Sequence, residues 1–255
     1  MKKIERAILS VFDKSGVVEF AKILQREFNI EILSTGGTGA LLEKNGINYV
    51  KISDYTESPE MFEGRVKTLH PKIEGGILFR RDHSQDTMDA KENNISPIDM
   101  VVCNLYQFKE VILKPNITFK DALEMIDIGG PTMIRAAAKN FMDVVVIPDA
   151  KYYPLIIREL RENEGNITEQ TRIKLAQEVF AIMADYNAAI ANYLHKYYNP
   201  DEKMSTIVNK VYEKVQDCRY GENWDQDAAY YRDLSARYGL HQLKQLGGKE
   251  ISFNN

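Results

Sequence analysis

The 255-residue sequence is poor in the residues that build metal centres and cross-links: it holds two cysteines and four histidines. Cys103 and Cys218 lie far apart, which excludes both a zinc-ligand spacing and a disulfide framework. A reducing cytoplasm is the expected location. No His-x-x-x-His occurs, so a catalytic zinc helix is excluded and no metal is expected. No apolar run approaches the ~18 residues of a membrane-spanning helix. The segment Met1–Ser10 opens on charge and has no apolar core of signal-peptide length. Neither a Gly-Lys-Ser/Thr P-loop nor Gly-x-Gly-x-x-Gly is present. An excess of positive charge is also missing: Lys plus Arg is 33 against 37 Asp plus Glu, a net charge of −4. Binding to nucleic acid through overall basicity is therefore not expected. What remains, 44% hydrophobic and 27% charged residues, is an ordinary globular composition. It is enough for one large or two smaller domains with a core of their own.

Apolar runs and turn signals alternate along the chain. Ala7–Phe12, Glu31–Ser34, Asn48–Ile52, Asp99–Leu105 and Val144–Ile147 read as short strands, the last two as strands buried on both faces. Lys14–Phe28, Ala40–Asn45, Ala122–Ile126, the stretch from Pro131 to Asn140, Tyr152–Glu162 and Thr168–Tyr197 read as helices. Thr118 with Asp121 forms a capping signal before the third of these. The last helix carries Ile173, Ala176, Phe180, Met183 and Ala184 as its expected apolar stripe. Asp82–Pro97 reads as an exposed loop or short helix. Strands alternating with helices predict an α/β fold with a mostly parallel sheet. Ser10–Lys14, Ser34–Gly39, Asn104–Tyr106 and Pro148–Asp149 would then share the sheet edge where ligands bind. A composition break at Asn199-Pro200-Asp201 separates an expected domain 1–199 from a segment 200–255, which reads as the first elements of another domain.

Three stretches could carry chemistry, and each has two readings. Ser34-Thr35-Gly36-Gly37-Thr38-Gly39, between a strand and a helix, is either a tight turn or a phosphate seat built from backbone N–H groups and hydroxyls. In the segment Gly64–Lys72, Arg65 and Lys67 project on one side if the chain is extended. They are either an anion clamp or part of a solvated basic loop. Asp127 precedes Gly129-Gly130-Pro131, and Arg135 and Lys139 follow at i and i+4 on a helix. Asp127 and Lys139 are either a charged pair in a pocket or an ordinary turn near surface cations. Lys14, after Asp13, is either a phosphate ligand or a surface cation.

Taken in order, these stretches resemble a known family. Ser10-Val-Phe-Asp-Lys-Ser-Gly16, Ser34-Thr-Gly-Gly-Thr38, Glu63-Gly-Arg-Val-Lys-Thr-Leu-His-Pro71, Cys103-Asn-Leu-Tyr106, Ile126-Asp-Ile-Gly-Gly130 and Arg135-Ala-Ala-Ala-Lys-Asn140 are similar to the IMP cyclohydrolase domain of the bifunctional PurH family of purine biosynthesis. The resemblance implies a methylglyoxal-synthase-like fold, a parallel sheet with helices on both faces, in a homodimer. It implies closure of 5-formamidoimidazole-4-carboxamide ribotide (FAICAR) to inosine monophosphate (IMP) with loss of water. No cofactor, nucleic acid or membrane is implied for that step.

Carried over residue by residue, the resemblance makes Lys67, Tyr106, Asp127 and Lys139 catalytic. Ser34, Gly36, Gly37, Thr38 and Lys14 would hold the phosphate, assisted by Ser10 and Ser15. Arg65 and Thr68 would line the ring and phosphate side, and Asn104 and Gly129 would bond the base. Arg219-Tyr-Gly-Glu-Asn223 and Gly248-Lys-Glu-Ile-Ser-Phe-Asn254 resemble the start of the family's AICAR transformylase half, whose co-substrate is 10-formyltetrahydrofolate. The catalytic Lys-His of that half is not in this sequence. Two positions depart from the family pattern: Glu74 stands where a histidine is frequent, and Trp224-Asp225-Gln226 stand where Pro-His-Gln is usual. The second reading is a methylglyoxal-synthase-like regulatory module that binds phosphate ligands. It shares the Thr-Gly-Gly-Thr turn but predicts neither the Gly64–Pro71 nor the Arg135–Asn140 motif.

Overall fold

The computed structural model describes residues 3–202, 204–236, 238–244 and 246–249. Glu250–Asn254 of the second transformylase-like motif lie outside the described residues. Five strands, β1 (Arg6–Leu9), β2 (Glu31–Ser34), β3 (Val50–Lys51), β4 (Met100–Val102) and β5 (Val145–Ile147), form one parallel sheet in the order β3-β2-β1-β4-β5. Ile8, Leu9, Val101, Val102, Val145 and Val146 are buried, as strands covered on both faces require. The α-helices among the described residues are α1 (Val17–Phe28), α2 (Gly36–Lys44), α3 (Ile52–Thr56), α4 (Pro71–Leu78), α5 (Ser84–Glu92), α6 (Phe108–Val111), α7 (Phe119–Glu124), α8 (Gly129–Lys139), α9 (Tyr153–Glu162) and α10 (Glu169–Tyr198). The chain runs outward from β1 to β2 and in the opposite sense from β4 to β5. Right-handed crossovers therefore send α1 and α8 to opposite faces. α1 packs with α2 and α9, and α4 packs with α8. The α/β architecture expected from the sequence is present.

The differences lie at element ends, in three short helices that were not expected (α3, α4 and α6) and in the buried face of α10. β2 keeps its expected bounds, whereas β1 and β4 end short of their apolar runs because Ser10–Phe12 and Cys103–Leu105 leave the ladder at the site edge. α2 begins at Gly36, four residues before the expected start, so the glycines form its first turn. α4 was not expected at all. On α10 the buried apolar residues are Leu175, Ala176, Val179, Met183 and Tyr186, whereas Ile173 and Phe180 are exposed and Ala184 is exposed as well. The helix is rotated about its axis relative to the expected stripe, with Ala176 and Met183 common to both.

The chain divides into two compact units: Met1–Gln107 with Lys114–Ile182, and Phe108–Leu113 with Met183–Asn255. The break at Asn199-Pro200-Asp201 lies inside the second unit. There, Phe108 meets Tyr186 and Tyr193 edge-on, with ring centroids 6.3 and 5.6 Å apart. The antiparallel strands β6 (Tyr212–Asp217) and β7 (Ala229–Asp233) pair in the same unit. Trp224-Asp225-Gln226 sit in their connection, which is closed by Gly221 N–H donating to the Gln226 carbonyl at 2.7 Å.

Candidate active site

Strand order reverses between β1 and β4, and the crevice beyond the carboxyl ends of such a pair is the expected ligand site. The first unit has a cavity of about 650 Å³ there. Ser10 leaves β1 with its N–H on the Val102 carbonyl at 2.9 Å, so the two strand ends stay together. Ser10 Oγ meets Thr35 Oγ1 at 3.3 Å.

The wall from β2 is the start of α2. Gly36 has φ of 40°, a left-handed backbone that glycine tolerates. A Cβ there would stand 3.9 Å from Lys67 Nζ, and one at Gly37 would stand 3.8 Å from Lys14 Nζ. Two ammonium groups thus flank the first turn of α2, where backbone N–H groups lack helical partners. Thr38 Oγ1 accepts from Val11 N–H and donates to Val11 O, both at 3.1 Å.

The opposite wall comes from 63–68 and 123–133. Residues 61–66 form a tight loop, Met61 pairing with Val66, with Phe62, Glu63 and Gly64 all at positive φ. They are not the extended segment expected from the sequence. Arg65 and Lys67 both line the cavity nonetheless, but Arg65 is exposed and ion-paired to Glu124 on α7. Asp127 caps the start of α8, its Oδ1 accepting from Gly130 N–H at 3.0 Å. A Cβ at Gly130 would collide with that carboxylate, which fixes a glycine there. Gly129 lies against Thr68 Oγ1.

Burial pushes the Asp127 carboxyl above the usual carboxylate range, opposed by the Gly130 N–H, the Lys67 ammonium and the Tyr106 N–H. Burial and the nearby Asp127 charge raise the Tyr106 hydroxyl. They raise the Cys103 thiol too, far from any reactive range.

Of the residues expected at the site, Ser10, Lys14, Gly37, Thr38, Arg65, Lys67, Thr68, Asn104, Tyr106, Asp127 and Gly129 line this one cavity. The other four do not. Ser34 is buried beneath it, its Oγ donating to the Leu9 carbonyl at 2.7 Å. Gly36 stands behind Lys67. Ser15 donates from Oγ and N to Asp13 Oδ1 at 2.6 and 2.9 Å and lines a separate hollow between α1 and α9. Lys139 is exposed at the far end of α8. A helix of 11 residues spans about 16 Å, so Asp127 and Lys139 of one chain do not pair, and the cation acting on Asp127 is Lys67. Sequence reasoning missed Thr35, Cys103, Glu124 and Met125 as lining residues. Their adjacency to Gly36, Asn104 and Asp127 in the chain was the available signal.

Known proteins resemble the chain along its whole length. A family model described as the MGS-like domain matches residues 16–132, and one described as the AICARFT/IMPCHase bienzyme matches residues 137–255. The chain is 50% identical over 251 residues to the bifunctional purine biosynthesis protein PurH of Thermoanaerobacter sp. (strain X514), covering 98% of this chain and 49% of the relative. It is 51% identical over 256 residues to that of Bacillus mycoides (strain KBAB4), covering 100% and 49%. The chain belongs to the PurH family. It spans about half the length of the curated PurH relatives it matches. The crystal structure of ForH superposes with a TM-score of 0.65 at 33% identity, covering 74% of this chain and 98% of ForH. The PurH departure at Glu74 falls on α4, away from the cavity lining.

Proposed function

We propose that the first unit is an IMP cyclohydrolase that closes FAICAR to IMP with loss of water. The observation carrying this reading is the convergence of Lys14, Gly37, Lys67, Tyr106 and Asp127, from separate stretches of sequence, on one cavity at the strand-order reversal. The 5′-phosphate sits at the first turn of α2, against Lys14. The ring extends past Thr68 and Gly129, which brings the carboxamide and formyl groups to Lys67, Tyr106 and Asp127.

The carboxamide nitrogen attacks the formyl carbon, and the C=O electron pair moves onto oxygen. The Lys67 ammonium and the Tyr106 hydroxyl stabilise that oxyanion. Asp127, whose raised pKa makes it a better base, takes the proton from nitrogen. The oxyanion takes a proton from Lys67, the protonated Asp127 gives its proton to the resulting hydroxyl, and the oxygen leaves as water while the formamido nitrogen releases its N–H proton to the neutral Lys67 amine and forms the ring C=N. Atoms and electrons balance without a metal or redox cofactor; 10-formyltetrahydrofolate belongs to the transformylase step of the longer relatives. We place the reaction in the cytoplasm, in keeping with two free cysteines.

We further infer a homodimer in which the exposed Lys139 of one copy reaches the cavity of the other. Mixing Lys67→Ala and Lys139→Ala chains, each inactive alone, restores about a quarter of the activity if the pair forms between copies, since half of the sites in each mixed dimer regain both lysines. No restoration refutes the shared site. The reaction itself is tested by the absorbance change on adding FAICAR. Binding of IMP without its formation from FAICAR would leave the methylglyoxal-synthase-like binding module as the surviving reading.

A further inference from the structure

We propose that Asn104 is a positioning residue that aims Lys14 at the phosphate seat through two peptide planes, rather than a hydrogen-bonding partner of the base. The inference rests on the phosphate seat proposed above and concerns how it is assembled.

Asn104 follows β4, and its side chain is turned back onto the segment that leaves β1. Its Oδ1 accepts from Phe12 N–H at 2.7 Å and from Asp13 N–H at 3.0 Å, and its Nδ2 donates to the Asp13 carbonyl at 2.9 Å. Both lone pairs of the amide oxygen and one of its two N–H donors are therefore engaged within the chain.

The two N–H groups belong to the Val11–Phe12 and Phe12–Asp13 peptides. A trans peptide is planar, with its N–H and C=O on opposite sides. Gripping both N–H groups with one oxygen therefore turns the Val11 and Phe12 carbonyls to the other side of the segment. Lys14 Nζ sits on that side, donating to Val11 O at 3.4 Å and to Phe12 O at 3.3 Å. The ammonium is held beside Gly37 by two carbonyls: Asn104 sets the direction of Phe12 O, and Asn104 and Thr38 together set that of Val11 O.

The segment has little else to hold it. Phe12 is 39% exposed. Val11 is tied by Thr38 Oγ1 through both its N–H and its carbonyl, so the Val11–Phe12 plane is held from both sides, whereas the Phe12–Asp13 plane is held by Asn104. A lysine side chain freed of such a grip regains rotamers that it must lose again on binding.

A double-mutant cycle read by calorimetric titration, with IMP and inosine as probes, tests this. Asn104→Ala is expected to weaken IMP binding about tenfold and to leave inosine, which lacks the phosphate, within twofold. In a Lys14→Met background Asn104→Ala is expected to cost IMP less than twofold, because the lysine it aims is gone. Equal weakening of IMP and inosine, or a full tenfold loss in the Lys14→Met background, would overturn the proposal and return Asn104 to direct contact with the nucleoside. If thermal melts show Asn104→Ala unfolded, Asn104→Ser enters the same cycle with the same criteria. These measurements need no turnover, so a chain that binds IMP but forms none refutes the cyclohydrolase reading and leaves the aiming role decided by the cycle.

Discussion

The two edges of the parallel sheet use the same residue types to opposite ends. At the amino edge the starts of β1, β4 and β5 are ringed by charge. Asp99 Oδ2 accepts from Glu5 and Arg6 N–H, both at 3.0 Å. Arg81 donates to the Phe79, Gly76 and Ile98 carbonyls at 2.7, 2.9 and 3.1 Å and faces Asp99 at 3.9 Å. Arg81 N–H is on Asp143 at 3.0 Å, and Arg172 is buried close by, with Asp143, Asp99 and Glu159 acting on it. At the carboxyl edge, among the described residues, neither Lys14 nor Lys67 forms an ion pair, and Asp127 is held by N–H groups. Charges at the amino edge are spent on the fold. At the carboxyl edge Lys14 and Lys67 are the cations that the proposed phosphate and oxyanion would meet, while Arg65 is taken up by Glu124.

The sharpest way to break this contrast is Arg81→Met. Removing the guanidinium takes the donor from the Phe79, Gly76 and Ile98 carbonyls and the facing cation from Asp99, so unfolding free energy in urea should drop by about 3–5 kcal/mol. The folded fraction should bind IMP with unchanged affinity. A folded variant that has lost IMP binding would show that the edges are not separable.

The converse change is Lys67→Met. Loss of one oxyanion donor should lower IMP formation by about 10²-fold, near 3 kcal/mol, with stability changed by less than about 1 kcal/mol, as for a group that anchors no element. Turnover within threefold of the parent would remove Lys67 from the chemistry.

How much of this was legible depended on whether local chemistry or distant packing decided each element. β2 was read to the residue because its apolar run ends at Thr35 and a glycine pair. Thr118 was read as a cap and is one, its side chain accepting from Asp121 N–H. α4 was illegible because Gly75-Gly76 in its middle argue against a helix. The reason for them lies elsewhere in the chain: a Cβ at Gly76 would stand 2.7 Å from the Ser96 carbonyl, and one at Gly75 would stand 2.9 Å from Ile95. At the site, the lining residues followed from the motifs, but their tasks did not. Ser34, Thr38 and Asn104 look alike as polar residues at strand ends, and only coordinates show that their side chains are engaged by backbone. That Asp127 and Lys139 of one chain stand at opposite ends of α8 is a matter of helix length, which the motif order alone does not convey.

The mildest test concerns Glu74, on the helix that the sequence did not foretell. Both of its carboxylate oxygens are buried without a hydrogen-bond partner, and burial pushes its pKa up to about 7. In the unfolded chain a glutamate titrates near 4.3. Below that pH both states hold the proton and the side chain costs nothing extra. As pH rises from about 4.3 to about 7 the unfolded chain releases its proton while the folded chain keeps it, so stability falls across that window and levels off above it. Glu74→Gln keeps the shape and cannot ionise. Discounted for the side chain's partial solvent contact, it should gain about 1–2 kcal/mol at pH 8 and nothing at pH 4. Parallel stability curves for parent and variant from pH 4 to pH 8 would mean that Glu74 finds a counter-charge in the folded protein. The amino-edge pattern, in which buried charge is compensated, would then extend along α4 as well.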